Sequence, residues 1–336
     1  MIVDAANVRR TVFAKIFVLA VGGIETPRLL LATDVMTNGL GNRSGKLGRY
    51  YACHFGNLCA RLVCDAAKPA FGFEKTTDGV YCRRKLLFTP EAQRQHRLLN
   101  TAFRLHFPDY SDAAHGSAVM SVIYLAKSTL IPKYRKPASR LAHARNVVAG
   151  FPQMVKFGWQ WLFLRQLAER KLPYTLVPTA DGSFPLEFNC EQTPMESSRI
   201  TLNSDRDRHG LQRVHVAWRV AEHDIAAAFR GFQLLRSAIN STESCRLEFD
   251  EGQLATQLSR STPVGAHHLG TARMAQSPGE GVVNTQCAVF DIPNLYIAGS
   301  AVFPTSSHAN PTLTIVALAL RLGEHLKEKL SGTSVG

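Results

Sequence analysis

Two segments near the C-terminal end combine residue types that could move a proton and a hydride. The first, His267-His268-Leu269-Gly270-Thr271-Ala272-Arg273-Met274, puts imidazoles on a glycine-containing stretch. An imidazole titrating near neutrality is the natural base for taking a hydroxyl proton while hydride leaves the same carbon. Spacing to Gly270 favours His267 over its neighbour His268 as that base. The second runs from Asn294 through Ala298-Gly299-Ser300 to His308-Ala309-Asn310-Pro311-Thr312. It reads as a strand ending at a small-residue turn, a Ser/Thr-rich loop, and a helix with Asn310 at its N-cap and Pro311 in its first turn. Free amides at such a start favour negative charge, and Ala298-Gly299 lets the backbone approach a bound group closely. Asn310 is explained equally by plain capping, and His308 by a solvated loop position.

The elements that would position these groups are α/β in kind. Residues 11–20 are β-branched and apolar, as a buried strand would be, and run into Gly22-Gly23. Thr26 and Pro27 then suggest a helix start before Leu29-Leu30-Leu31. Strand, glycine turn and helix form a nucleotide-type half-unit that opens in the middle of a domain. Residues 39–45, spaced G-x-G-x-x-x-G, lack a preceding strand and read as a loop. Stretches such as 57–64 and 121–126 read as strands, 138–171 as helix broken near Gly150-Phe151-Pro152, and 183–203 as two strands with a turn. Residues 221–241 form a helix, 287–291 and 294–300 two strands about a turn, and 311–330 a final helix. No internal repeat or low-complexity linker occurs.

Composition excludes several alternatives. Seven cysteines without a C-x-x-C pair argue against a disulfide framework and a zinc site and point to a reducing compartment. Cys53 and His54 are adjacent, but no second pair at ligand spacing accompanies them, so no metal is expected. There is no signal-like start and no apolar run of ~18 residues, so a cytoplasmic protein is expected. The net charge of +13 is uneven: Lys127 to Lys171 holds ten Lys/Arg against one acid, Glu169. No nucleic-acid reading motif accompanies it, and no nucleic-acid partner is expected. Within that stretch, residues 153–171 fit either a helix packed on its own domain with a solvated basic side, or an interfacial helix on anionic lipid.

H-x-x-G-T-x-x-M followed some forty residues later by N-P-T-x-T resembles the C-terminal signature of the glucose–methanol–choline (GMC) oxidoreductase family. The opening VLAVGGIETPRLLL resembles the family segment beside FAD, and Glu191-Gln192-Thr193-Pro194 with Ser198–Leu202 the edge of its substrate domain. The resemblance implies a flavin domain interleaved with a substrate domain on an antiparallel sheet, here 1–60 with 262–336 and 61–261, with a basic helical insertion at 127–171. It implies FAD as cofactor and an alcohol or sugar as substrate, with His267 as base and Asn310 orienting the substrate oxygen. Gly299 and Ser300 would face the ribityl or phosphate, Gly22 and Gly23 the adenosine side, with Ala298, Pro311 and Thr312 beside them. His54, in GRYYACHF, matches a family position near the flavin loop, though a packing role fits equally. The family's strand–G-x-G-x-x-G–helix unit does not occur in this sequence. FAD binding by this chain alone is therefore not expected, and a flavin-binding partner chain would be needed.

Overall fold

The computed structural model describes residues 2–3, 8–33, 39–64, 72–130, 139–173 and 182–332. Residues 131–138 of the basic stretch lie outside them. The elements used below are, in chain order, β1 (Phe17–Leu19), α1 (Gly22–Leu31), β2 (Ala52–Cys64), β3 (Leu86–Leu87) and β4 (Thr101–Leu105). Three helices follow, α2 (Ala118–Leu130), α3 (Arg140–Ala149) and α4 (Phe151–Gln160), the last running into a π-helical turn at Trp161–Gln166. Then come β5 (Ser183–Cys190), β6 (Arg199–Arg206), β7 (Gln212–Ala217), α5 (Glu222–Asn240), β8 (Cys245–Glu248) and β9 (Thr262–Leu269). β10 (Ala288–Val289), β11 (Ile292–Ile297) and α6 (Thr312–Gly332) complete the chain.

The architecture is mixed α/β, in two compact units. The first comprises 1–56, 189–227 and 261–336, the second 57–188 and 228–260. Residues 189–227 thus group with the terminal segments, whereas the sequence reading puts them in 61–261.

In the first unit β11 lies between β10, antiparallel, and β1, parallel, with Leu295, Tyr296 and Ile297 opposite Phe17, Val18 and Leu19. Leu30, Ala272, Ile297, Ala301, Val302 and Leu322 are buried together beside this small sheet. β1 is much shorter than the run 11–20 suggests, because only three of its residues find a partner strand and Val12 and Phe13 are exposed. The following helix begins at Gly22, before the expected start, so Thr26 and Pro27 lie inside it. Proline has no N–H to give the carbonyl four residues earlier. That carbonyl, of Gly23, instead accepts from the Thr271 hydroxyl at 2.7 Å.

The larger sheet has the order β8-β2-β5-β4-β3, with β9 also on β2. The first residues of β2 pair with β9 and its last with β8, both antiparallel. In the second unit Phe103 and Phe188 meet Phe232 edge to face at 5.1 and 5.3 Å, filling the space between sheet and α5. Cys64 and Cys245, directly opposite in the β2–β8 register, are joined by a disulfide. This corrects the expectation of wholly unpaired cysteines: the partners are 181 residues apart, so spacing along the chain carries no sign of the pair. Residues 121–126 are helical, not a strand. Ser121, Tyr124 and Ser128 recur at helical spacing and are the buried face of α2. No helix among the described residues is long and apolar enough to cross a membrane.

Candidate active site

The segment 267–274 is held on three sides within the first unit. Gly270, Ala272 and Met274 donate their N–H groups to the carbonyls of Ser300, Ala301 and Val302 at 3.1, 2.8 and 2.8 Å. Thr271 gives its hydroxyl to Gly23 in α1, and its carbonyl accepts from the Gly48 N–H at 2.7 Å. The Ser300 hydroxyl donates to the His268 carbonyl at 2.6 Å. Approach to α1 is so close that a Cβ on Gly23 would lie 2.2 Å from that same carbonyl oxygen. Gly23 is therefore a contact glycine against His268.

The two histidines sit where β9 departs from regular pairing. Val264 faces His54 and Leu269 faces Ala52, so five steps along β9 match two along β2. The surplus is a bulge that carries Gly265 at φ +76° and Ala266 at φ +52°, both left-handed. Such bulges re-aim side chains that regular alternation would send to opposite faces. Alanine pays for that conformation in strain, and glycine does not. A Cβ on Gly265 would meet the His267 ring at 2.6 Å, so this position too must stay small.

His267 and His268 differ in their surroundings. The His268 ring stacks on Tyr51, and its Nδ1 hydrogen-bonds the Tyr51 hydroxyl at 2.7 Å. His267 meets the edge of the fully buried His54 ring at 4.8 Å between centroids, and its own Nδ1 is buried without a hydrogen-bond partner. Burial lowers the pKa of both imidazoles, and His267 is lowered further by its charged-state repulsion with His268. Burial also raises the neighbouring Tyr51 hydroxyl and Cys53 thiol, so both are held protonated.

The loop leading to the last helix is anchored by residues that spacing alone does not flag. Buried Gln192 donates its backbone N–H to Ser306 Oγ at 3.0 Å, while its side-chain oxygen accepts from Trp218 Nε1 at 2.8 Å and from the Cys53 N–H at 3.3 Å. Asn189 Nδ2 donates to the His308 carbonyl at 2.9 Å. These links explain why the Glu191–Pro194 segment accompanies the two C-terminal ones. Asn310 is exposed, and α6 begins at Thr312, with the Pro311 carbonyl accepting from the Ile315 N–H at 2.9 Å. The helix thus starts one residue later than expected, and Asn310 stands before it and is not its cap. No hydrogen bond joins Asn310 to His267 among the described residues.

Both parallel strands lead at their C-terminal ends into a left-handed glycine. Gly22 follows β1 at φ +79° and Gly299 follows β11 at φ +120°. A Cβ on either would meet nothing within 4 Å. Open space at glycine turns beyond the carboxyl ends of parallel strands is where α/β sheets take nucleotide cofactors. The donor set there, backbone amides at Gly299 and Ser300 and at the start of α6 from Thr312, suits an anionic group, while the Ala298 N–H is taken up by the Leu19 carbonyl at 2.8 Å. Such a donor set is of the kind a nucleotide cofactor needs.

A family model described as GMC oxidoreductase matches residues 194–319, which include both C-terminal segments. That C-terminal region is similar to the GMC oxidoreductase family. The chain is 27% identical over 330 residues to a 2-methyl-1,2-propanediol dehydrogenase of Mycolicibacterium austroafricanum, covering 96% of this chain and 50% of that protein. A C-glycoside 3-oxidase of Arthrobacter globiformis is 30% identical over 159 residues, 46% of this chain and 29% of that protein. In fold it is similar to a formate oxidase of Aspergillus oryzae, with TM-score 0.51 at 15% identity, covering 97% of this chain and 56% of that one. The chain spans about half the length of the first of these relatives. The match over 194–319 agrees with the resemblance carried by His267–Met274 and Asn310–Thr314.

Proposed function

We propose that this chain supplies the proton-handling part of an FAD-linked oxidoreductase acting on the CH–OH group of an alcohol or sugar. The observation that carries the reading is the bulge at Gly265–His268. It holds a neutral imidazole on a segment bonded backbone to backbone along the Ser300–Val302 turn, next to the open glycine. The diol and glycoside named for two relatives are both CH–OH compounds, which supports this substrate class.

His267 takes the hydroxyl proton of the substrate. Its lowered pKa keeps it unprotonated at neutral pH and ready to accept. With Nδ1 buried, Nε2 is the nitrogen that receives the proton. His268, committed to Tyr51, orients the bulge. Asn310 binds the substrate oxygen through its side-chain amide, on a loop steadied by Gln192 and Asn189. FAD, if held here, would supply the hydride acceptor for the carbinol carbon. Gly22, Gly23, Ala298, Gly299, Ser300, Pro311 and Thr312 form this chain's share of the cofactor surround.

The remaining share comes from a flavin-binding segment that completes the parallel sheet. Parallel strands are normally covered on both faces. Here Phe17 and Val18 of β1 are exposed, and Leu313, Val316 and Leu320 form an exposed apolar row on α6 at helical spacing. An added strand beside β1 and a helix against α6 would bury both.

Co-expression with a segment carrying a strand–G-x-G-x-x-G–helix unit tests this. Yellow protein whose flavin bleaches when a vicinal diol or a sugar is added without oxygen is the expected result. A complex that forms but retains no flavin would overturn the reading.

A further inference from the structure

The helices α3 and α4 show an inverted distribution of residue types. α3 buries only His143 and α4 buries nothing, whereas α2 buries Val119, Met120 and Tyr124. His143 is fully buried, with Nδ1 3.0 Å from Ser121 Oγ and Nε2 3.2 Å from the Ser111 carbonyl, and its ring stacks on Tyr124 at 4.3 Å. At the break between α3 and α4 a Cβ on Gly150 would lie 2.7 Å from Ala118 Cβ. The outward contacts are aromatic and aliphatic. No residue of α4 is buried, and Phe151, Val155 and Trp159, spaced four apart, form one exposed row; Trp159 is 65% and Phe151 63% exposed. Trp159 packs on Phe163 of the π-helical turn at 4.0 Å, and Leu141 and Val148 extend the apolar surface on α3. α4 packs against α2 of its own unit, and this row lies on its exposed side.

The cations around it are uncompensated. Arg145, Lys156 and Lys171 are exposed and have no ion-pair or hydrogen-bond partner among the described residues. Glu169 is the sole acid between positions 127 and 171. Aromatic side chains facing outward among unpaired cations, on helices too short to span, are the physical signature of an element lying in a lipid–water boundary. The charge complement is an anionic surface, and each cation near such a surface contributes attraction that decays within a Debye length.

We propose that the outer face of α3, α4 and the π-helical turn docks on anionic lipid, with Phe151, Val155 and Trp159 entering the acyl boundary and Arg145 and Lys156 at headgroup level. This is independent of the flavin reading and concerns only the second unit.

Sedimentation with phosphatidylcholine vesicles, with and without phosphatidylglycerol, tests it on the whole chain. Binding is expected to be ~10-fold or more tighter with the anionic lipid, to weaken at high salt, and to shift tryptophan fluorescence to the blue. Phe151→Ser/Trp159→Ser should weaken it by at least ~10-fold. Arg145→Glu/Lys156→Glu, confined to exposed unpaired cations and so without consequence for folding, should do the same. Binding unaffected by either pair of substitutions would overturn the proposal. So would no sedimentation with either vesicle, or a protein dimer that shields Trp159 without lipid.

Discussion

The bulge at Gly265–His268 and the helices at 139–166 each break the usual sorting of residues in a folded protein, in opposite senses. The bulge half-buries two imidazoles and leaves a ring nitrogen without a hydrogen-bond partner. The helices leave tryptophan and phenylalanine in water and turn a histidine inward. On the two proposals above, the first serves proton transfer and the second adhesion to lipid. Separability is therefore the testable property: damage to one should leave the other intact.

Apart from replacement of His267 itself, the largest separation should come from Gly265→Ala in the flavin-complete protein. Its Cβ would enter the His267 ring, and displacing a reacting group by about an ångström costs on the order of 100-fold in rate. Flavin reduction by substrate should fall accordingly, with vesicle binding unchanged. Reduction of the Cys64–Cys245 disulfide should act on the other unit, lowering its stability by ~2–4 kcal/mol in thermal unfolding while leaving the first unit's transition in place.

Thr271→Val should produce a smaller loss, ~1–3 kcal/mol, because the Gly23 carbonyl facing Pro27 then has no donor. It should appear as a lower melting temperature, without effect on lipid binding. The smallest effect is on pH dependence. A histidine whose folded pKa is depressed contributes no penalty above its unfolded value of about 6.5, and costs stability as pH falls below it. Stability should therefore drop between neutrality and weak acid. His267→Asn and His268→Asn should each flatten that drop. The rate of substrate oxidation should hold its plateau to a pH below that of an ordinary histidine.

The legibility of the two regions in the sequence also differed, for physical reasons. The spacing of His267, Gly270 and Thr271 reflects local backbone demands: a bulge, a left-handed glycine and a hydroxyl that replaces a proline's missing N–H. Such demands are written in consecutive residues. The final helix and the break at Gly150 are visible likewise, whereas the β10–β11 turn falls at Phe290-Asp291 and the expected turn residues Ile292–Asn294 lie within β11. The roles of Tyr51, Gln192 and Trp218 were not, since their bonds join residues far apart in the chain. Pro27 was misleading because a distant threonine makes it tolerable inside a helix. Residues 121–126 alternated as a strand would until the wider run showed a helical burial period. For α4, periodicity revealed that a face was apolar but could not tell whether that face was covered.

The most direct measurement concerns His267 against its neighbour. In the flavin-complete protein, anaerobic stopped-flow reduction of FAD by an alcohol substrate should fall ~10²–10⁴-fold in His267→Asn. In His268→Asn, which loses the hydrogen bond to Tyr51, it should fall far less. Equal losses in both variants, or a larger loss in His268→Asn, would contradict the assignment of the base to His267.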